Sequence, residues 1–179
     1  MKMKISVVLC TYNRAERVTQ PIDAVLASAE EAGLGGDVEL VVVDDGSADA
    51  TPKVLAGYPD DRLRVVRRPN GGLCTARNTG LALARGEWTI FLDDDDLPES
   101  KWLTALAEPM DSDDVGITCC GGELVDDAGL PIGPHLVRSL GAPFGGAVGS
   151  FLPGTFAART TLLREVGGYL QGLGAAHQY

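Results

Sequence analysis

The sequence lacks any apolar run long enough to cross a lipid bilayer. Its longest apolar runs, Ile5 to Cys10 and Leu40 to Val43, have the length of β-strands. The N-terminal Met-Lys-Met-Lys leads into the first run without a small-residue cleavage site, so no signal peptide is predicted. We therefore expect a cytoplasmic protein with no integral membrane segment, and peripheral attachment to a membrane is left open.

Cysteine is scarce, and its spacing excludes the usual cysteine-based frameworks. The four cysteines are Cys10, Cys74, Cys119 and Cys120, and no two of them form a CxxC pair. A zinc site or a disulfide scaffold is therefore disfavoured. Three of the four lie in or beside apolar runs, which predicts buried free thiols.

Basic residues are outnumbered by acidic ones. The chain has 15 Lys and Arg and 25 Asp and Glu, which gives a formal net charge of −10. The phosphate backbone of a nucleic acid would repel such a chain, so we expect no nucleic-acid partner. An anionic ligand is still possible, because a bound divalent cation reverses the local field.

Strand-like and helix-like patterns alternate along a chain of 179 residues, enough for one domain with a sizeable core. The predicted strands are Ile5–Cys10, Val38–Val43, Leu63–Arg67, Trp88–Leu92 and Val115–Cys120. Helical patterns lie between these runs and after Pro98. This order predicts an α/β fold with a mostly parallel sheet sandwiched by helices.

The element boundaries carry local signals. The first helix is expected to begin near Ala15, or near Gln20 because Pro21 is tolerated only in a first turn. Ser47 or Asp49 can cap a short second helix. A hairpin turn is predicted at Asp126–Gly129, an irregular mobile loop over Leu130–Gly154, and a last helix from Thr160 to the glycines at 167 and 168.

Three polar clusters follow predicted strands: Thr11–Arg14, Asp44–Ser47 and Asp93–Asp96. In an open α/β sheet, ligands bind at the carboxyl ends of the strands. Many carboxylates at one edge are costly unless a positive charge lies among them. Magnesium or manganese fits this role, because both are hard cations that take oxygen ligands and bridge phosphates.

The run Asp93–Asp96 is the strongest single signal, although such runs are often solvated acidic loops. It directly follows the buried-type strand Trp88–Leu92, which places it at the sheet edge. An EF-hand is disfavoured because the glycine and the terminal glutamate of that loop are absent. The position therefore predicts a metal site.

The other clusters each allow a structural and a functional interpretation. Thr11–Asn13 is either a helix-entry turn or a wall of hydroxyls and an aromatic face for a nucleoside. Asp45 can cap a turn, whereas Asp44 can accept a hydrogen bond from a base imide or a ribose hydroxyl. Asn70–Gly72 and Arg77 are either a surface turn with a solvated arginine or a helix N-terminus that favours anionic groups. No GxGxxG follows the first strand, so a nicotinamide-type dinucleotide fold is weakly supported.

Taken together, these motifs resemble the inverting family 2 glycosyltransferases with the GT-A fold, in order and spacing over about the first 110 residues. The matching pieces are Val7-Val8 to Thr11-Tyr12-Asn13, Val43-Asp44-Asp45-Gly46-Ser47, Asn70-Gly71-Gly72 to Ala76-Arg77-Asn78, and Phe91-Leu92-Asp93 to Asp96. Phe156–Arg159 and Glu165–Tyr169 are similar to the acceptor-side strand and helix of that family.

The resemblance implies roles for particular residues. Asp44 would bond the base, usually uracil, and Arg77 would lie against the nucleotide. Asp94 occupies the variable position of the family motif and is left unassigned. The implied nucleotide-binding residues are Thr11, Tyr12, Asn13, Asp44, Arg77 and Asp93, and the implied ligands of Mn²⁺ or Mg²⁺ are Asp95 and Asp96.

The resemblance also implies one GT-A-like domain over residues 1–179. Residues 1–110 would bind the nucleotide-sugar, and residues 111–179 would begin an acceptor-binding part that is truncated at the C-terminus. The family places a general-base carboxylate soon after the Gly-Gly-aromatic segment, yet no Asp or Glu follows Glu165. His177 is the candidate base, unless it is incidental. The chain alone is therefore expected to bind the donor but to transfer sugar poorly or not at all.

The predicted function is metal-dependent glycosyl transfer from a nucleotide-diphosphate sugar, with UDP as the expected nucleotide. The acceptor hydroxyl would belong to a glycan, a lipid-linked molecule or a small molecule. One alternative is a sugar-phosphate nucleotidyltransferase, which would usually carry a Gly-rich basic loop after the first strand. Another is a non-catalytic nucleotide-sugar-binding module, which the missing base makes credible.

Overall fold

The computed structural model describes residues 4–126, 128–135 and 152–170. Its strands are Ile5–Thr11 (β1), Val38–Asp44 (β2), Leu63–Arg67 (β3), Trp88–Asp93 (β4), Ile117–Cys119 (β5), Gly122–Val125 (β6), Pro131–His135 (β7) and Phe156–Arg159 (β8). Its helices are Thr19–Glu31 (α1), Thr51–Ala56 (α2), Leu73–Leu83 (α3), Trp102–Ala107 (α4) and Thr160–Glu165 (α5), with a 3-10 turn over Glu108–Asp111.

Six strands form one sheet in the order β3-β2-β1-β4-β8-β5. β1 pairs in parallel with β2 and β4, and β2 pairs in parallel with β3. β8 is antiparallel to both of its neighbours, β4 and β5. The sheet is therefore mostly parallel, which confirms the predicted α/β fold.

Helices cover both faces of this sheet. Val7 on β1 packs in one apolar cluster with Ile22 of α1 and Leu103 of α4. Val8, the next residue along β1, points the other way and packs in a second cluster with Ala76 of α3. Strands buried on both faces carry continuous apolar runs, because neither side of the pleat meets water. Burial on both faces therefore explains the continuous valines of β2.

Most predicted elements are confirmed, with small shifts at their ends. α1 begins at Thr19, in agreement with a start near Gln20 and not near Ala15. At the first residue of α2 the Thr51 N–H donates to Asp49 Oδ1 at 2.9 Å. The hydroxyl of Ser47 instead accepts a hydrogen bond from the N–H of Asn13. Asp49 therefore supports this helix end, and Ser47 does not.

The predicted hairpin at Asp126–Gly129 is confirmed, because β6 and β7 on either side of it pair in an antiparallel ladder. β7 lies inside the range Leu130–Gly154, so the prediction of an irregular loop is wrong for its first part. Pro131 and Pro134 hide this strand in the sequence, and proline is tolerated at the edge of a small ladder. Residues 136–151 and 171–179, including His177, lie outside the described residues.

The cysteine prediction is confirmed for the free thiols and only in part for their burial. All four cysteines lie in the described ranges and none forms a disulfide. Cys10 is buried, Cys74 and Cys120 are half-buried, and Cys119 is exposed. Cys119 ends β5, which is the last strand in the sheet order. No helix in the described ranges is long and apolar enough to span a membrane.

Candidate functional site

The carboxyl ends of β1, β2 and β4 lie side by side at one edge of the sheet. In the strand register Thr11 is opposite Asp44, and Cys10 is opposite Asp93. The structure therefore brings together the polar clusters that follow these three strands. This is the edge at which α/β sheets bind their ligands.

Three aspartates of the run after β4 converge. One carboxylate oxygen from each of Asp93, Asp95 and Asp96 lies within 4.8 Å of the other two. Burial, together with the negative charges of Asp93 and Asp95, raises the pKa of Asp96 to about 7. A hard divalent cation prefers such an all-oxygen set of ligands and would relieve this repulsion. The residues present therefore fit Mn²⁺ or Mg²⁺.

Arg77 supplies a positive charge beside this cluster from the first turns of α3. Its Nη2 donates to Asp93 Oδ1 at 2.5 Å, and the residue is buried. Burial acts to lower the pKa of Arg77, but the Asp93 carboxylate outweighs it and the pKa is raised. One guanidinium does not balance three carboxylates, so the cluster keeps a net negative charge when they are ionised.

Asp94, which sequence reasoning left unassigned, is buried and points away from its three neighbours. Its Oδ1 lies 3.4 Å from Nε of Arg14, the last residue of the cluster that follows β1. Burial raises the pKa of Asp94, and the interaction with the Thr11 side chain and the positive charge of Arg14 oppose that shift. Asp94 thus ties the aspartate turn to the turn after β1. The signal in the sequence was the arginine at the end of Thr-Tyr-Asn-Arg.

Asp44 ends β2 and keeps one oxygen without a hydrogen bond. Its Oδ1 accepts the N–H of Ser47 at 2.9 Å. Its Oδ2 is buried, and the nearest cation, Nε of Arg67, lies 3.4 Å away. A buried carboxylate with one free acceptor is suited to an N–H or O–H donor of a ligand. Arg67 was not among the predicted site residues, because it belongs to the predicted strand Leu63–Arg67 and to none of the polar clusters.

Asp45, the next residue, has a structural role. Its carboxylate accepts hydrogen bonds from the N–H groups of Gly71 and Gly72 at 3.1 and 2.8 Å and forms an ion pair with Arg68. Gly72 is the residue before α3, so Asp45 fixes the start of the helix that carries Arg77. The structural role expected for Asp45 is thus supported by hydrogen bonds.

Asn13 joins the two loops at this edge. Its backbone has a left-handed φ of 55°, a conformation that asparagine tolerates better than most residues. Its N–H donates to Ser47 Oγ, and its Oδ1 accepts the N–H of Ala48, both at 2.8 Å. The side chain thus positions the neighbouring Tyr12, which is half-buried. Nucleotide contact by Tyr12 and Asn13 stays a prediction.

Unsatisfied polar atoms are concentrated at this edge. Within the described ranges, five buried side-chain nitrogen or oxygen atoms have no hydrogen-bond partner, and four of them lie here. The four are Thr11 Oγ1 and Asp94 Oδ2, whose side chains interact with each other, and Asp44 Oδ2 and Arg77 Nε. Folded proteins rarely leave such groups unpaired, because each one costs free energy of desolvation. Their position therefore indicates a site for a polar ligand.

Fold and site together define the class: an α/β domain with three converging carboxylates and buried unpaired polar atoms at the carboxyl ends of its parallel strands. The model of the family "Glycosyl transferase family 2" matches residues 6–167. The chain belongs to this family, and its fold is GT-A.

Curated relatives include the succinoglycan biosynthesis protein ExoO of Rhizobium meliloti, 39% identical over 109 residues. That alignment covers 60% of this chain and 30% of ExoO. The cholesterol galactosyltransferase of Borreliella burgdorferi is 33% identical over 120 residues, which cover 66% of this chain and 32% of the relative. The chain thus spans about a third of the length of the curated relatives it matches.

Solved structures of similar fold include TarS 1-349 of S. aureus in complex with UDP-GlcNAc. It is 27% identical with a TM-score of 0.75, and the match covers 98% of this chain and 51% of TarS. The mannosyltransferase PcManGT of Pyrobaculum calidifontis, in complex with GDP-Man and Mn²⁺, is 24% identical with a TM-score of 0.71. That match covers 97% of this chain and 49% of PcManGT. At this sequence identity it supports the fold alone.

Proposed function

We propose that the protein transfers a sugar from a nucleotide-diphosphate sugar, with UDP as the nucleotide, to an acceptor hydroxyl, with inversion at the anomeric carbon. The observation that carries this proposal is the concentration of unpaired buried polar atoms beside three converging carboxylates. Family membership and the UDP-GlcNAc bound to the similar TarS support the same donor class.

Asp95 and Asp96 would hold Mn²⁺ or Mg²⁺, with Asp93 between them and Arg77. When bound, the cation supplies neutralisation of charge on the leaving diphosphate. Asp44 Oδ2 accepts an N–H of the base, and Arg77 lies against the diphosphate with donors that Asp93 does not use. These contacts orient the donor so that its anomeric carbon faces the acceptor side.

In the transfer, a base takes the proton of the acceptor hydroxyl and its oxygen attacks the anomeric carbon from the face opposite the diphosphate. The new C–O bond forms as the bond to the diphosphate oxygen breaks, and the nucleoside diphosphate departs. His177 is the proposed base, and residues 111–179 are the proposed acceptor part. A radiolabelled-sugar transfer assay compares the wild-type chain with His177→Ala; measurable transfer at the same rate by both would exclude His177.

The donor site is tested by calorimetry of UDP with MnCl₂, with and without a chelator. We expect binding that needs the cation and falls more than tenfold in Asp95→Ala and Asp96→Ala, because ligand carboxylates are lost. Asp114→Ala, which removes an exposed carboxylate outside the cluster, is the matched control. Equal affinity in the three variants, all folded, would contradict the assignment. Hydrolysis of UDP-sugar with and without acceptor then separates an enzyme from a binding module.

A further inference from the structure

The segment after α5 folds back onto α3, next to Arg77. Gly167 and Gly168 have left-handed φ angles of 85° and 70°, which reverse the chain direction. A Cβ on Gly168 would lie 2.5 Å from Oδ1 of Asn78, so the segment approaches α3 more closely than any side chain at this position allows. This close approach brings Tyr169 to the helix.

Asn78 anchors the backbone of Tyr169 with two hydrogen bonds. Its Nδ2 donates to the carbonyl oxygen of Tyr169, and its Oδ1 accepts the N–H of Tyr169, both at 2.8 Å. Paired bonds of this length from one amide fix both position and orientation. Asn78 directly follows Arg77, so the anchor and the arginine share one turn of α3.

The ring of Tyr169 lies between the donor site and the core. Cζ of Arg77 is 5.0 Å from its centroid, within the range of a cation–π contact. The ring also packs edge-to-face against Phe91 at 5.0 Å, with an interplanar angle of 90°. Phe91 lies in β4 two residues before Asp93. The aromatic pair therefore connects the strand of the aspartate cluster to the arginine that pairs with it.

Arg77 needs such support because Asp93 binds only one end of its guanidinium. Nη2 donates to Asp93, whereas Nε is buried without a hydrogen-bond partner among the described residues. A planar cation held at one end can rotate about its side chain unless a flat surface covers one face. The ring of Tyr169 covers that face.

We infer that Tyr169 is a positioning residue: its ring, anchored by Asn78, fixes the guanidinium of Arg77 against Asp93 at the donor site. Tyr169 acts through Arg77 and touches neither donor nor cation. The inference rests on the proposed nucleotide-diphosphate site for its effect on binding. The contact between the ring and Arg77 exists without a ligand, so it can be tested separately.

The binding test is a double-mutant cycle, read as the affinity for UDP and, in parallel, GDP in MnCl₂. Tyr169→Leu should weaken binding about tenfold, the upper range of one cation–π contact, and Tyr169→Phe should retain most of the affinity. In an Arg77→Met background, Tyr169→Leu should have no further effect. Tyr58→Leu, which removes a half-buried tyrosine that packs in the cluster on the other face of the sheet, is the control.

Two outcomes overturn the inference: unchanged affinity in Tyr169→Leu, or the same loss in both backgrounds, as a merely structural role would give. If the wild-type chain binds neither nucleotide, the proposed function fails. The contact between Tyr169 and Arg77 is then tested by the same double-mutant cycle, measured as the free energy of unfolding in urea. Coupled effects of Arg77→Met and Tyr169→Leu would support the contact, and additive effects would overturn it. Where Tyr169→Leu does not fold, Asn78→Ala takes its place in both cycles.

Discussion

Two acidic runs end neighbouring parts of the same sheet edge, and their carboxylates are held in opposite ways. After β2, Asp45 is enclosed and bonded by two backbone N–H groups and Arg68. After β4, Asp93, Asp95 and Asp96 face each other, and Arg77 bonds only Asp93. Carboxylates satisfied by the protein stabilise its structure, whereas carboxylates that face each other are suited to a cation. The same residue type thus has two different environments a short distance apart.

Asp44 stands between these two cases. One oxygen is bonded by the N–H of Ser47, as in the structural cluster, and the other is buried without a hydrogen bond, as expected at a binding site. Arg67 lies near enough to stabilise its charge and is more than half exposed. A ligand that binds Asp44 would therefore add a hydrogen bond without breaking one.

The largest effect is expected on the free energy of unfolding, in the comparison of Asp45 with Asp95. Asp45→Ala should lower the free energy of unfolding by about 3 to 4 kcal/mol, because it leaves the half-buried Arg68 and two N–H groups unpaired. Asp95→Ala, at an exposed position in the other run, should change it by about 0.5 kcal/mol or less without metal. Urea unfolding of both variants in a chelator gives the values. Equal destabilisation by the two changes would remove the distinction between the runs.

A smaller effect is expected at Asp44. Asp44→Ala should weaken UDP binding about tenfold, as the loss of one hydrogen bond to a charged group would. The binding of ADP should change much less, because adenine presents no imide N–H to the free oxygen. Calorimetry with UDP, CDP, GDP and ADP measures the change in preference. The same loss for every nucleotide would mean that Asp44 stabilises the site without reading the base.

The smallest effect concerns pH, since Asp96 is partly exposed and solvent screens its neighbours. Its pKa is raised from 3.8 to about 7 by burial first and by Asp93 and Asp95 next. The folded protein then keeps a proton that the unfolded chain releases, so this contribution to stability is present below about pH 4 and is lost as the pH rises to about 7. Above that pH it stays constant.

Urea midpoints in a chelator between pH 5 and 8 measure this contribution as the difference between wild type and Asp96→Asn. The wild type should lose stability relative to the variant as the pH rises, and saturating MnCl₂ should reduce the difference because the cation replaces the proton. Curves of stability against pH that stay parallel for wild type and Asp96→Asn would show that the pKa of Asp96 is not raised and that the run Asp93–Asp96 is well solvated.

Local patterns in the sequence determined the strands, the sheet and the edge at which the site lies. Continuous apolar runs such as Val38–Val43 occur where a strand is buried on both faces, and polar residues directly after them must lie at a carboxyl edge. The strand β7 was missed because prolines and a glycine hide a short exposed ladder. The motifs were also sufficient to identify the family.

Only the tertiary structure decided which partners each aspartate has. Asp44 and Asp45 are adjacent, yet Asp45 bonds Gly71 and Gly72 while Asp44 keeps a free oxygen. Tyr169 and Asn78 lie 91 residues apart and meet through two hydrogen bonds. A carboxylate acquires its role from its burial and its partners, and these come from segments that folding brings together. The sequence around a run of aspartates does not show which residues those partners are.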